Sequence, residues 1–492
     1  MKDLKEKTIR GGSARIVAQA GNFALRIGSV MVLSRLLEPK DFGLLGMVTA
    51  FTGILSLFRD FGLSAASVQR ATVTEEQTST LFWINLLVGA ILTVAAILLA
   101  PAVGTFYREP RLFWVTTIVA SGLLFNGAGV QHSAILQRQM RFTALAWIDV
   151  ISLILSTAIA IVGAKAGYGY WALVAMTVSL PLTTTIGLWL VSRWVPGRPR
   201  RGAGIGSMLR FGGTVTVNSL VVYITFNFEK VLLGRFWGAE VLGLYGRAYQ
   251  LIRIPTDNLN SAVGEVAFSA LSRVQNDPPR LKRYFLKGYS LVLGLTIPVT
   301  IACALFAQDL IAVLLGPKWH DAAGIFRLLA PTILVFAIVN PLGWLLTSVG
   351  MVGRALKMAL VMAPVMITGY LVGLRYGPRG VALAYSTLMV LSVVPLIACA
   401  VKGTVISVYD MLLAISRPLI SGLAAAALIL ALQIPYGRLL SPLPRLVCGV
   451  VILLAVYVGI LLYVMGQKLF YLDLLRAFRK RSSPEEEVLV PV

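Results

Sequence analysis

Charge is what this sequence has least of. Asp, Glu, Lys and Arg together make up 13% of its 492 residues, and the 21 acids are outnumbered by 44 Lys and Arg. A soluble domain carries about 25% charge, so a water-facing surface of ordinary composition is excluded. Histidine is limited to His132 and His320, and the three cysteines, Cys303, Cys399 and Cys448, sit in apolar stretches at unrelated spacings. These build neither a disulfide framework nor a Cys/His metal set, and no metal or organic cofactor is expected. No Walker loop, GxSxG elbow or HExxH pair occurs, which leaves ATP hydrolysis and the common hydrolytic sites without support. What is abundant is apolar: 57% of residues are in the AVILMFWYC set, and the mean hydropathy is +0.82. Lipid is therefore the solvent for most of the chain, and its formal charge of +23 reports topology and anionic headgroups before any nucleic acid.

About 20 apolar residues cross a hydrocarbon core as a helix. Such windows predict an all-α integral membrane protein of about fourteen transmembrane helices: 13–34, 42–62, 79–101, 112–134, 143–163, 169–191, 207–229, 241–268, 288–308, 324–349, 355–374, 380–401, 412–433 and 445–465. The basic residues from Met1 to Arg10 precede a segment too long and too polar for a cleaved signal peptide. With the N-terminus inside, 27 of the 44 Lys and Arg fall in inside segments, 12 in outside segments and five within spans. That bias predicts an N-in, C-in topology. No connecting loop is long enough to fold alone. The basic stretches 194–204 and 275–287 read as inside loops, and the tail after 468 as a headgroup-attracted segment.

An offset of 200 residues lays Ser34–Gly46 over Gly234–Gly246, matching Arg35 with Arg235, Gly43 with Gly243, Leu44 with Leu244 and Gly46 with Gly246. A weaker echo sets Gly167, Ala172 and Leu173 over Gly377, Ala382 and Leu383. Parallel repeats imply two lobes enclosing a central transport site. The expected division is an N-lobe at 1–201 (six spans), a C-lobe at 202–403 (six spans), two further spans at 404–467 and a cytoplasmic tail at 468–492.

Ionisable groups at membrane depth face the bundle interior or a wet cavity. Arg15 and Arg26 share one face of the first span, Arg59 lies at the inner end of the second, and Arg247 and Arg253 join Tyr249 and Gln250 in the eighth. Guanidinium offers a permanently charged, planar fork to phosphate oxygens, so this set predicts an anionic, phosphate-bearing substrate. Arg26, Arg59, Arg247, Arg253, Tyr249 and Gln250 are the candidate substrate-binding residues. Snorkelling to headgroups is the alternative, strongest for Arg15. Among the acids at depth, Asp149, Glu229, Asp257 and Glu265, the candidates for a coupling proton or sodium ion are Asp149 and Glu265; pairing with a nearby arginine is the competing role. Asn218, Asn227 and the Asn340-Pro341 pair are candidates for broken helices lining a cavity.

Four segments carry a family resemblance: LGLYGRAYQLIRIP at 242–255, LEPKDFGLLG at 37–46, LQRQMRF at 136–142 and GYGYWAL at 167–173. They resemble the polysaccharide transporter family of bacterial Wzx-type flippases, in its WzxC-like branch, across spans 1–12. The resemblance implies the fold of the multidrug/oligosaccharidyl-lipid/polysaccharide (MOP) exporter superfamily, with two six-helix lobes and an alternating-access cavity. It also implies a protein of the bacterial inner membrane that flips undecaprenyl-diphosphate-linked oligosaccharide for exopolysaccharide, O-antigen or capsule assembly. Membrane lipids, a polysaccharide polymerase and a chain-length regulator would be its partners. Two other classes predict features that the sequence does not offer. A cation-coupled multidrug exporter predicts an acid-lined cavity, against which the excess of interior arginine argues. An integral glycan ligase or polymerase predicts a large outside loop, which the sequence lacks.

Overall fold

The computed structural model describes residues 23–58, 74–199, 219–274, 277–349, 351–436 and 441–468, together with Gly21 and Tyr471. These are helical, with no strand among the described residues. In chain order the helices are α1 (23–36), α2 (Pro39–Leu57), α3 (Glu75–Tyr107), α4 (Leu112–Arg138), α5 (Phe142–Lys165), α6 (Tyr170–Ser192), α7 (219–225) and α8 (Phe228–Arg273). They continue with α9 (Pro278–Leu305), α10 (Ala307–Leu314), α11 (Ala322–Leu329), α12 (Pro331–Ser348), α13 (Val352–Leu374), α14 (Gly377–Val401), α15 (Val408–Tyr436) and α16 (Pro442–Gly459). Eleven helical stretches among the described residues are long and apolar enough to cross a membrane. Large apolar side chains point outward along them, including Leu87, Leu98, Val361, Leu391 and Val451. In water such a surface would aggregate; in lipid it is solvated. The chain is a multi-pass membrane protein.

Two compact units divide the fold: Met1–Ile254 with Ile311–Leu329 and Val352–Met389, and Pro255–Leu310 with Ala330–Met351 and Val390–Val492. In the first unit, helices approach through small residues, as lipid-embedded helices must when no hydrophobic drive separates them from solvent. A Cβ on Gly127 of α4 would lie 2.7 Å from the Asn85 carbonyl oxygen of α3, and one on Gly89 would lie 3.0 Å from that of Leu123. Polar side chains then bridge the helices: Thr93 Oγ1 donates to the Ala120 carbonyl (3.1 Å), Thr185 Oγ1 to that of Phe125 (2.7 Å) and Trp189 Nε1 to that of Ala128 (3.0 Å). Gly167 and Gly377, the glycines of the weaker echo, both adopt positive φ (83° and 72°), the first in the turn before α6 and the second where the 375–376 turn enters α14. A left-handed turn residue is a local reason for glycine at both.

In the second unit, α15 and α16 pack on α9. Gly422 admits Ile297 and Ile301, Gly449 admits the ring of Phe306, and Tyr457 Oη donates to the Gly294 carbonyl (2.9 Å). Two ion pairs pin this packing: Arg445 grips both oxygens of the buried Asp309, and Lys282 Nζ lies 2.6 Å from Asp410.

Three expectations are corrected. Residues 278–287 of the stretch 275–287 are helix and not loop, because Pro278 opens α9 directly and Asp277 Oδ1 accepts the Arg280 amide (3.1 Å) at its start. The window 241–268 is not a helix of its own; it lies within a 46-residue helical run, Phe228–Arg273, interrupted at Gly238 (φ 81°, ψ −179°). Asn340-Pro341 does not break its helix; α12 runs through it from Pro331 to Ser348, the proline being accommodated within the span. Asn218 lies outside the described residues.

Candidate functional site

The 200-residue repeat has a physical expression in the first unit. A Cβ on Gly43 of α2 would fall 1.6 Å from the carbonyl oxygen of Ala239, and one on Gly243 would fall 1.9 Å from that of Pro39. Pro39 and Ala239 are themselves repeat partners, so α2 and α8 cross in a reciprocal contact in which each copy's glycine seats the other copy's helix start. Asp41 Oδ2 accepts the Glu38 amide (3.1 Å), capping α2 at this point. The LEPKDFGLLG motif is thus a helix start followed by a crossing point.

Below the crossing lies a cavity of about 480 Å³. α1 contributes Ser29, Val30 and Leu33; α2 contributes Phe42, Leu45, Gly46 and Thr49; α6 contributes Leu173, Met176 and Thr177. The polar wall belongs to α8: Lys230, Arg247, Tyr249, Gln250 and Arg253. Arg247 stacks its guanidinium 3.8 Å above the Phe42 ring and donates from one terminal nitrogen to Gln250 Oε1, while its Nε has no hydrogen-bond partner. The aromatic face holds the charge without neutralising it. Lys230 Nζ donates to Asn227 Oδ1 (2.7 Å) and lies 4.6 Å from the centre of the Tyr249 ring. Gly246 also lines the space, and a Cβ there would meet nothing within 4 Å.

Behind this wall Glu229 is fully buried, with no hydrogen-bond partner for either carboxylate oxygen. Tyr245 and Tyr249 of α8 stack with ring centres 6.3 Å apart, Tyr370 of α13 stacks on Tyr385 of α14 at 6.0 Å, and the Tyr249 and Tyr385 hydroxyls meet at 3.5 Å. Lys230, Tyr245, Tyr370 and Tyr385 all lie within electrostatic reach of the Glu229 carboxylate.

Of the six residues expected to bind substrate, Arg247, Tyr249, Gln250 and Arg253 come together in this wall. Arg26 is exposed on α1 and does not line the cavity; it lies within electrostatic reach of Asp149, which is exposed on α5. Arg59 and the side chain of Glu265 lie outside the described residues. Sequence reasoning passed over Lys230, counted there as an outside-loop residue, and set Glu229 behind Asp149 and Glu265 as a candidate for ion coupling. The signal was present as an acid and a base side by side at the end of an apolar window.

Residues 32–324, more than half the chain, match the family described as polysaccharide biosynthesis protein. The chain belongs to that family. Among curated family relatives, it is 30% identical to the teichuronic acid biosynthesis protein TuaB of Bacillus subtilis over 68% of each chain, and 25% identical to the lipopolysaccharide biosynthesis protein WzxC of Escherichia coli K12 over 80% of each. In fold, this family member is similar to the lipid II flippase MurJ in an inward closed conformation (TM-score 0.75, 15% identity, 95% of this chain and 100% of that one). It is also similar to an inward-facing MATE transporter of the MOP superfamily (TM-score 0.61, 15% identity, 82% and 97%). The architecture is therefore that of membrane transporters.

Proposed function

We propose that the protein is a flippase that moves undecaprenyl-diphosphate-linked oligosaccharide across the bacterial inner membrane for exopolysaccharide, O-antigen or capsule assembly. The observation that carries this reading is the α8 wall, where Lys230, Arg247 and Arg253 converge on one cavity that no acid lines among the described residues, Glu229 being buried behind it. A diphosphate presents paired oxygens that guanidinium forks bind in two-point fashion. A cationic drug would be repelled by the same wall, which disfavours a multidrug exporter.

The cavity opens alternately to either side between two six-helix lobes, followed by two additional helices, for about fourteen spans with both termini inside. The contacts of the chain support this order of spans. Trp83 Nε1 reaches the Gly197 carbonyl, Trp319 Nε1 that of Ser34, and Trp237 Nε1 that of Leu374; each pair joins segments that fourteen alternating spans assign to the same side. Coupling to a proton or sodium ion falls on Glu229, buried with no hydrogen-bond partner for either carboxylate oxygen, rather than on the exposed Asp149. The flipped unit then passes to a polymerase and a chain-length regulator.

The test is complementation of a flippase-deficient strain. Arg247→Ala and Arg253→Ala should abolish polymer export while inserting at the wild-type level, and Arg247→Lys should restore part of it. Full export by both alanine variants would remove the basis of this reading.

A further inference from the structure

The hairpin of α13 and α14 carries a cleft separate from the cavity. Next to the Gly377 turn the two backbones touch: a Cβ on Gly373 would lie 2.6 Å from the Gly380 carbonyl oxygen, and one on Gly380 would lie 2.3 Å from that of Gly373. Small residues continue along the crossing at Gly369 and Ala384, and a groove of about 1000 Å³ runs beside it. Val365, Thr368 and Val372 form one wall, Leu383 and Leu388 the other. Even Thr368 turns only its methyl outward, because its hydroxyl donates to the Pro364 carbonyl (2.7 Å).

One end of the groove is different. Arg379 stands there, exposed, with its guanidinium laid beside Gly324 and no carboxylate paired with it among the described residues. Tyr376 projects at the same level with 77% of its surface exposed, and Trp237 lies over Gly377 with Nε1 donating to the Leu374 carbonyl (3.1 Å). Arginine, tyrosine and tryptophan at one height mark the headgroup level of a bilayer. From Tyr376 down to Pro364 the helix descends about 18 Å, at 1.5 Å per residue, which takes the groove roughly halfway through a ~30 Å hydrocarbon core. That is the depth of one leaflet.

We propose that this groove is a binding site for an anionic glycerophospholipid of the leaflet that faces the 375–376 turn, with one acyl chain in the groove and the phosphate on Arg379. Charge and length both favour this occupant. The free guanidinium sits where a phosphate would, and the groove ends where an ordinary acyl chain ends, whereas a long polyprenyl tail would overrun it. The assignment is independent of the transport reading and of which side of the membrane is which.

Native mass spectrometry of the full chain in detergent tests it, titrating phosphatidylglycerol, phosphatidylethanolamine and undecaprenyl phosphate. The expected result is phosphatidylglycerol binding about tenfold tighter than phosphatidylethanolamine, the worth of one charge-assisted contact. Arg379→Gln should erase that preference and Arg379→Lys should keep most of it. Thr368→Trp, which fills the groove from a lipid-facing position, should weaken both lipids. Excess undecaprenyl phosphate should leave bound phosphatidylglycerol in place. Equal binding of the two phospholipids, unchanged binding in the Gln and Trp variants, or displacement by undecaprenyl phosphate would each overturn the proposal, the last by making the groove a carrier-tail site.

Discussion

Gly243 and Gly246 lie three residues apart on α8 and offer an internally controlled test of the helix crossing. Alanine is favoured over glycine in a helix by about 0.5–1 kcal/mol, and the gain should apply equally at both positions. Their surroundings are opposite. At Gly246 a Cβ meets nothing within 4 Å, so Gly246→Ala should realise the gain and raise the unfolding midpoint. At Gly243 the same methyl would stand 1.9 Å from the Pro39 carbonyl oxygen, about 1.5 Å inside ordinary van der Waals contact. Backbone cannot rotate away as a side chain can, so α2 and α8 must separate, at the ~1–3 kcal/mol typical of overpacking. The net expectation is a destabilised Gly243→Ala, a similar loss for Gly43→Ala, whose methyl would meet Ala239 at 1.6 Å, and a separation of about 1–3 kcal/mol between Gly243→Ala and Gly246→Ala. Thermal unfolding of the purified protein in a single detergent, followed by tryptophan fluorescence, ranks the three variants. Gly243→Ala unfolding at or above the Gly246→Ala midpoint would refute the crossing.

Other outcomes follow from individual contacts. Arg445→Leu strands the buried Asp309 carboxylate and should cost about 3–5 kcal/mol, most of it recovered in the Asp309→Leu/Arg445→Leu double variant; denaturation of the four proteins forms the cycle that checks it. Glu229→Gln should leave the protein inserted and able to bind lipid-linked oligosaccharide yet abolish its net movement, read by comparing a binding assay with polymer export; undiminished export would end the coupling role. Trp319→Phe removes a donor to the Ser34 carbonyl in a fully buried site and should lower stability by about 1–3 kcal/mol without altering substrate binding.

Much of this was legible in the amino-acid order. Apolar windows located α3 and α16 because lipid imposes a length of about 20 residues on any helix that crosses it. The Gly43/Gly243 match was readable as a repeat, and its spacing survives as a reciprocal contact because helix backbones approach closely only through glycine. The α8 residues Arg247, Tyr249, Gln250 and Arg253 were identifiable because charge at depth demands a reason. Harder to read were features that depend on which helix lies opposite. Nothing local to Asp149 says that Arg26 is its neighbour, and nothing local to Glu229 says that Tyr370 and Tyr385, more than 100 residues later, stand across from it. Pro278 was misread because Asn-Asp-Pro-Pro is loop chemistry on its face, although a proline at the first position of a helix is a start signal too.

The length of α8 has a consequence outside the lipid. From Ala239, just past its break, to Arg273 the helix extends about 52 Å at 1.5 Å per residue, some 20 Å more than a ~30 Å hydrocarbon core can hold. The 28 residues of α9 overshoot the same core by about 12 Å. The excess belongs at the shared end, where Arg280, Lys282, Arg283 and Lys287 would be intolerable in lipid. The start of α9, from Pro278 to Lys287, therefore belongs outside the hydrocarbon core. A spin label attached along this overhang would sit in water and report from outside the membrane.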